Sequence, residues 1–166
     1  MTWVITDNRL GLQKIADTST TKNHQLGEIV QAEDRTYGGG EFIYLKGVAN
    51  TIVGSLVTYD PVNSTTTLIP NTANLAQPVA VAMSANVLAN YGWYQISGAA
   101  IIKKTGVPVT PGVVVYIGGT AGRVKATAAS GKQILGARAV NAATVAAGTS
   151  TITVLISRPH AQGAVA

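Results

Sequence analysis

The chain has 166 residues, a formal net charge of +5, 46% hydrophobic residues, only 11% charged residues and no cysteine. That length fits one domain with a single core, and the missing cysteine excludes disulfides, thiolate catalysis and cysteine-based zinc sites. A charged fraction well below the roughly 25% of ordinary soluble domains predicts a surface largely covered by other chains, which favours an assembly subunit over a free enzyme.

In chain order, residues 1–26 differ from the rest. Trp3, Val4 and Ile5 form a short apolar anchor, residues 10–16 suggest one or two turns of helix, and residues 17–25 are polar and threonine-rich. The N-terminus lacks the apolar core of a signal peptide, and no apolar run reaches the ~18 residues of a membrane span. A segment of this kind buries too little to fold alone. It is expected to be an extended arm that orders on a neighbouring protein through Trp3, Ile5 and Arg9. Its removal is expected to spare the fold.

From residue 27 to 166, short β-like runs alternate with turn chemistry. The candidate strands are residues 28–33, 41–46, 52–53, 56–59, 67–70, 79–83, 91–104, 113–117, 123–126, 134–140 and 151–157. The triple glycine at 38–40 reads as a break, and Asp60-Pro61-Val62-Asn63-Ser64 as a strong turn. Closely spaced turns without a 3.6-residue stripe predict an all-β domain, a single compact barrel or sandwich. A faint repeat joins the segments near 54–59, 78–82 and 93–97 to those near 112–116, 134–139 and 152–157, at an offset of about 58 residues. Two copies of a three-strand unit would make a pseudo-symmetric barrel.

Charge is distributed unevenly. All seven carboxylates lie at or before Asp60, whereas Lys103, Lys104, Arg123, Lys125, Lys132, Arg138 and Arg158 follow it. That polarity predicts two partner surfaces, a basic one facing an acidic shell. Lys103-Lys104 and Arg123-x-Lys125 come nearest to a nucleic-acid cluster. They lack interleaved aromatics, so no direct nucleic-acid partner is expected.

Catalytic patterns are weak. His24 and His160 sit in polar arm and tail sequence and read as solvated, so neither promises a held general base. No Gly-x-Ser-x-Gly elbow occurs, Gly131-Lys132 lacks the rest of a phosphate loop, and no His/Asp/Glu cluster has metal-ligand spacing. The reading is a non-enzyme with no cofactor and no metal. Tyr91-Gly92-Trp93-Tyr94 stands out, and Tyr91, Trp93 and Tyr94 are expected to be core or interface anchors rather than a ligand platform.

One resemblance adds to this reading. The segments GGGEFIYLKGVANTIVGSLVTYD (38–60), PVAVAMSANV (78–87) and YGWYQISGAA (91–100) resemble small virion proteins of tailed bacteriophages, the head decoration or capsid cement family. The likeness covers between a third and a half of the chain and carries no catalytic motif. It implies a β-rich subunit, often a homotrimer, on the outer capsid surface, with the major capsid protein as partner. A head-fibre base or tail protein with a carbohydrate-binding role is the alternative.

Overall fold

The computed structural model describes residues 2–7 and 11–164, and among them regular structure consists of strands and turns without helix. The strands are β1 (Val4–Ile5), β2 (Thr18–Ser19), β3 (Ile29–Asp34), β4 (Gly38–Lys46), β5 (Leu56–Tyr59) and β6 (Thr66–Leu68). They continue as β7 (Val79–Ala82), β8 (Tyr91–Lys103), β9 (Val114–Ile117), β10 (Val124–Lys125), β11 (Gln133–Ala139) and β12 (Thr151–Ala161). Their order is β1-β3-β4-β8-β12-β11-β9-β10, with β2 and β7 on β8 and the β5–β6 pair attached through β7. All of these pairings are antiparallel. The chain is all-β, as composition and turn spacing predict.

The strand sequences explain which faces are covered. In β12, Ile152, Val154 and Ile156 are buried while Thr151, Thr153, Leu155 and Ser157 face out, the two-residue period of a half-covered sheet. In β4 and the first half of β8 the run is buried without alternation, because both faces there are covered. Phe42, Tyr44 and Trp93 join one core cluster with Val30 and Ile15. Ile43, Leu45, Tyr94 and Ile96 join another with Val57 and Ala82. A third and larger cluster, from Leu56 to Ala161, fills the space between the second half of β8 and strands β5, β7 and β9–β12.

The arm corrects one expectation. Residues 2–7 and 11–26 lie on the chain's own sheet: Val4 pairs with Glu33, Thr18 pairs with Gly92, and Ile15 is 2% exposed. Trp3, Ile5 and Leu12 pack beside Phe42, Tyr44 and Trp93. No helix forms over 11–16, because those residues spend their apolar side chains, Leu12 and Ile15, on one patch of sheet. The arm is therefore the lid of the core that holds Phe42, Tyr44 and Trp93.

The triple glycine is not a break either; it opens β4 and pairs with β3 from Ala32 to Asp34. A Cβ at Gly40 would stand 2.9 Å from the Ser97 carbonyl and 3.2 Å from the Trp3 ring. Only glycine lets the arm tryptophan settle on the strand. Ile52 and Val53, expected as strand, form an exposed turn. The turn at Asp60 is present: its carboxylate accepts the backbone N–H groups of Val62 and Asn63.

The repeat is visible in the pairing. β5 pairs with β6 and β7, and β7 with β8; β9 pairs with β10 and β11, and β11 with β12. Thr58 faces Thr67 and Tyr59 faces Thr66, and about 58 positions later Tyr116 faces Lys125 and Ile117 faces Val124. The N–H of Gly54 reaches Ala82 and that of Gly112 reaches Ala139. Each unit has four strands, not three: β6 and β10, expected as strands at 67–70 and 123–126, share no sequence likeness that would mark them as part of the repeat.

Candidate interaction surface

The aromatic residues singled out in sequence lie inside the chain. Trp93 and Tyr94 are fully buried on opposite faces of β8. The Trp93 indole N–H donates to the Gln13 carbonyl at 2.9 Å. The Tyr94 hydroxyl accepts from Asn86 Nδ2 at 3.0 Å, and burial pushes its phenol above the usual tyrosine range. Tyr91 is half-buried and stacks on Tyr44 at 6.5 Å. Trp3 and Ile5 are half-buried in the same cluster, Trp3 meeting Phe42 edge-on at 4.9 Å. Arg9 lies outside the described residues. Trp93 and Tyr94 are thus core anchors, and neither offers a face on which a sugar could stack.

Two further expectations change. His24 is not a solvated residue: its ring packs on Tyr44 and Trp93 at 5.0 and 5.3 Å, and its Nε2 accepts the Gln13 N–H at 3.0 Å. His160 is exposed, yet it belongs to β12 and faces Leu135. The basic pair Lys103-Lys104 is split by the strand. Lys103 stays at the surface, while Lys104 is 1% exposed and donates to the carbonyls of Thr105, Val107 and Ala147 at 3.1, 2.9 and 3.1 Å. Desolvation holds its amine below the usual lysine range. No group of three His, Asp or Glu residues gathers at metal-binding distance among the described residues. Among the described residues no helix is long and apolar enough to cross a membrane.

What remains uncovered is one broad face of the sheet, formed by β9, β11, β12 and the second half of β8. Register places Val114, Arg138, Leu155 and Ala99 in a single row across the four strands. Thr153 and Ile101 form the row beside it, and Val140 is held there by its N–H to the Thr153 carbonyl. Val114, Leu135, Val140 and Leu155 are exposed large hydrophobics. Val114, Leu135 and Leu155 line a shallow depression of about 460 Å³ together with Gln133, Gly136, Arg138 and Ser157. Because every acid precedes residue 61, these strands carry no carboxylate; Arg138 stands within the row between Val114 and Leu155, and Lys103 and Lys125 lie at the edges of the face. Glu41 stands at the border, engaged by Arg158 at 3.3 Å.

This face was not found from the sequence, although a signal existed. Leu155 occupies an outward position between Thr153 and Ser157, where the alternation calls for a polar residue. Leu135 and Val114 escape the same test because β11 and β9 are short or bulged.

No protein-family model, no curated protein and no solved structure matches the chain. Residues and geometry therefore carry the functional reading.

Proposed function

We propose that the chain is a virion structural protein, a decoration or cement subunit on the outer surface of a tailed-phage head, acting by binding and not by catalysis. The observation that carries this reading is the acid-free apolar face on β8, β9, β11 and β12. Four exposed hydrophobic side chains on one face, with Arg138 among them and lysines at its edges, are a marker of a protein-binding surface. The major capsid protein is the proposed partner, met through an acidic part of its surface, with a homotrimer of the chain as the bound unit. At ~25 cal/mol per Å² of apolar area, a standard interface of about 1,600 Å² supplies a gross gain large enough to survive the costs of association. The Arg158–Glu41 surface pair is negligible beside it.

The test is co-sedimentation of the purified protein with phage heads that lack it, followed by cryo-electron microscopy. Wild type should decorate the lattice, and a Leu135→Asp/Leu155→Asp variant with an unchanged circular dichroism spectrum should not. Density on tails or fibre bases in place of the head would move the protein to another virion part. Failure to bind any virion component, or equal binding by the variant, would overturn the reading.

A further inference from the structure

We propose that His24 is a proton-sensitive latch that holds the arm segment 11–19 over the aromatic face of the sheet and releases it when the ring is protonated. Gln13 is the point at which this segment is fastened. Its N–H donates to His24 Nε2 at 3.0 Å, and its side-chain amide donates to the carbonyls of Asp17 and Tyr91 at 2.8 and 3.4 Å. Its Oε1 accepts from Asn23 Nδ2 and the Tyr44 hydroxyl at 3.0 and 3.1 Å, and its carbonyl accepts the Trp93 indole N–H. One residue thereby binds the arm to β4 and β8.

The latch follows from the chemistry of the ring. Nε2 can accept a backbone N–H only while it is unprotonated, so the neutral ring carries its hydrogen on Nδ1. Nδ1 faces the Glu28 carboxylate at 3.7 Å. A second proton turns Nε2 into a donor aimed at the donor of Gln13, so that contact changes from attraction to conflict. The same proton converts Nδ1–H and Glu28 into an ion pair, and the Tyr44 and Trp93 rings accept a cation beside them. The ring thus has partners in both states: Gln13 when neutral, Glu28 when charged. Imidazole is the side chain that makes this exchange between about pH 5 and 8.

The other charged groups of the segment do not oppose the exchange at the ring. Lys14 and Asp17 line a cavity of about 320 Å³ with Trp3, Ile15 and Met83, and Lys22 is exposed. Asp34 fastens the far end of the arm independently by accepting the Thr2 N–H at 2.7 Å. Release of the middle segment would open Tyr44 and Trp93 to solvent.

The experiment uses the full chain, followed by ¹H–¹⁵N NMR and acrylamide quenching of tryptophan fluorescence from about pH 8 to about pH 5. The Gln13 amide should titrate with the same midpoint as the His24 ring protons, and quenching should rise several-fold on the acid side. His24→Gln, whose amide oxygen accepts at every pH, should abolish the rise. Glu28→Gln should move it to lower pH, and His160→Gln should leave it in place. Flat quenching in the wild type, or a Gln13 amide that ignores the His24 titration, would overturn the latch; so would an unchanged transition in His24→Gln. The wild-type NMR titration decides the matter even if a variant does not fold. Head binding plays no part in these readouts, so the latch and the proposed function stand or fall separately.

Discussion

Lys104 shows how a single residue can be misjudged from its neighbours in sequence. Beside Lys103 it looks like half of a basic cluster, but the alternation of β8 turns it inward, where three carbonyls from residues 105, 107 and 147 meet its ammonium. Those bonds join the loop after β8 to the loop before β12. Replacing the amine with an isosteric apolar chain would take that donor from the Val107 and Ala147 carbonyls, while the Thr105 carbonyl would keep the Val107 N–H at 2.7 Å. Lys104→Met should therefore lower unfolding free energy by about 2–4 kcal/mol, read from urea denaturation at neutral pH. Asp34 makes the pH-dependent counterpart. The Thr36 N–H first, and then those of Thr2 and Tyr37, draw its carboxyl below the usual aspartate value of 3.8. A depressed folded-state value means the stabilisation is complete above the unfolded value. It is lost as pH falls through the folded one. An acid titration of thermal stability should thus show a smaller loss below about pH 4 in Asp34→Asn than in wild type.

At the scale of elements, the arm and β8 carry the most consequence. β8 passes from β4 to β12 near residue 97, and Gly98 makes the crossing with φ of +99° and a missing Cβ that would stand 2.5 Å from the Gly39 carbonyl. The arm, though short of regular structure, roofs one of the three cores. Ile15 is fully covered, and Leu12 and Trp3 partly so. At ~1.5–3 kcal/mol for each large apolar side chain buried, truncation after residue 16 should cost on the order of 4–6 kcal/mol. Guanidinium denaturation monitored by circular dichroism would measure it. A truncated chain as stable as the full one would mean that the arm contributes nothing to the lid. The arm's role as a lid is not legible in sequence because its apolar residues are few and irregularly spaced, so no period marks them. Their value depends on Phe42, Tyr44 and Trp93, which arrive from strands far along the chain.

For the whole molecule, two four-strand units related by about 58 residues share one core, and the bare apolar face lies on the second together with the last half of β8. The difference lies in what covers them: the arm packs over Trp93 in the first half of β8, whereas among the described residues no further layer covers the outer side of β11 and β12. In the proposed reading this face is kept for the shell and the homotrimer forms through another surface. Light scattering at micromolar concentration should give an oligomer, and Leu155→Asp should leave its size unchanged with the fold retained. A monomeric wild type would count against the homotrimer.

Local chemistry was enough to determine the class of fold and most strand positions, because alternation, β-branched residues and turn-forming Asp, Asn, Gly and Pro act over a few neighbours. The internal repeat and the segregation of acids from cations were legible for the same reason. Tertiary structure alone decided that the arm folds home, that His24 enters an aromatic cage, that Lys104 turns inward, and that Leu135, Val140, Val114 and Leu155 meet on one surface. Each of those outcomes depends on which distant strand becomes a neighbour, and burial and hydrogen bonding respond to neighbours in space.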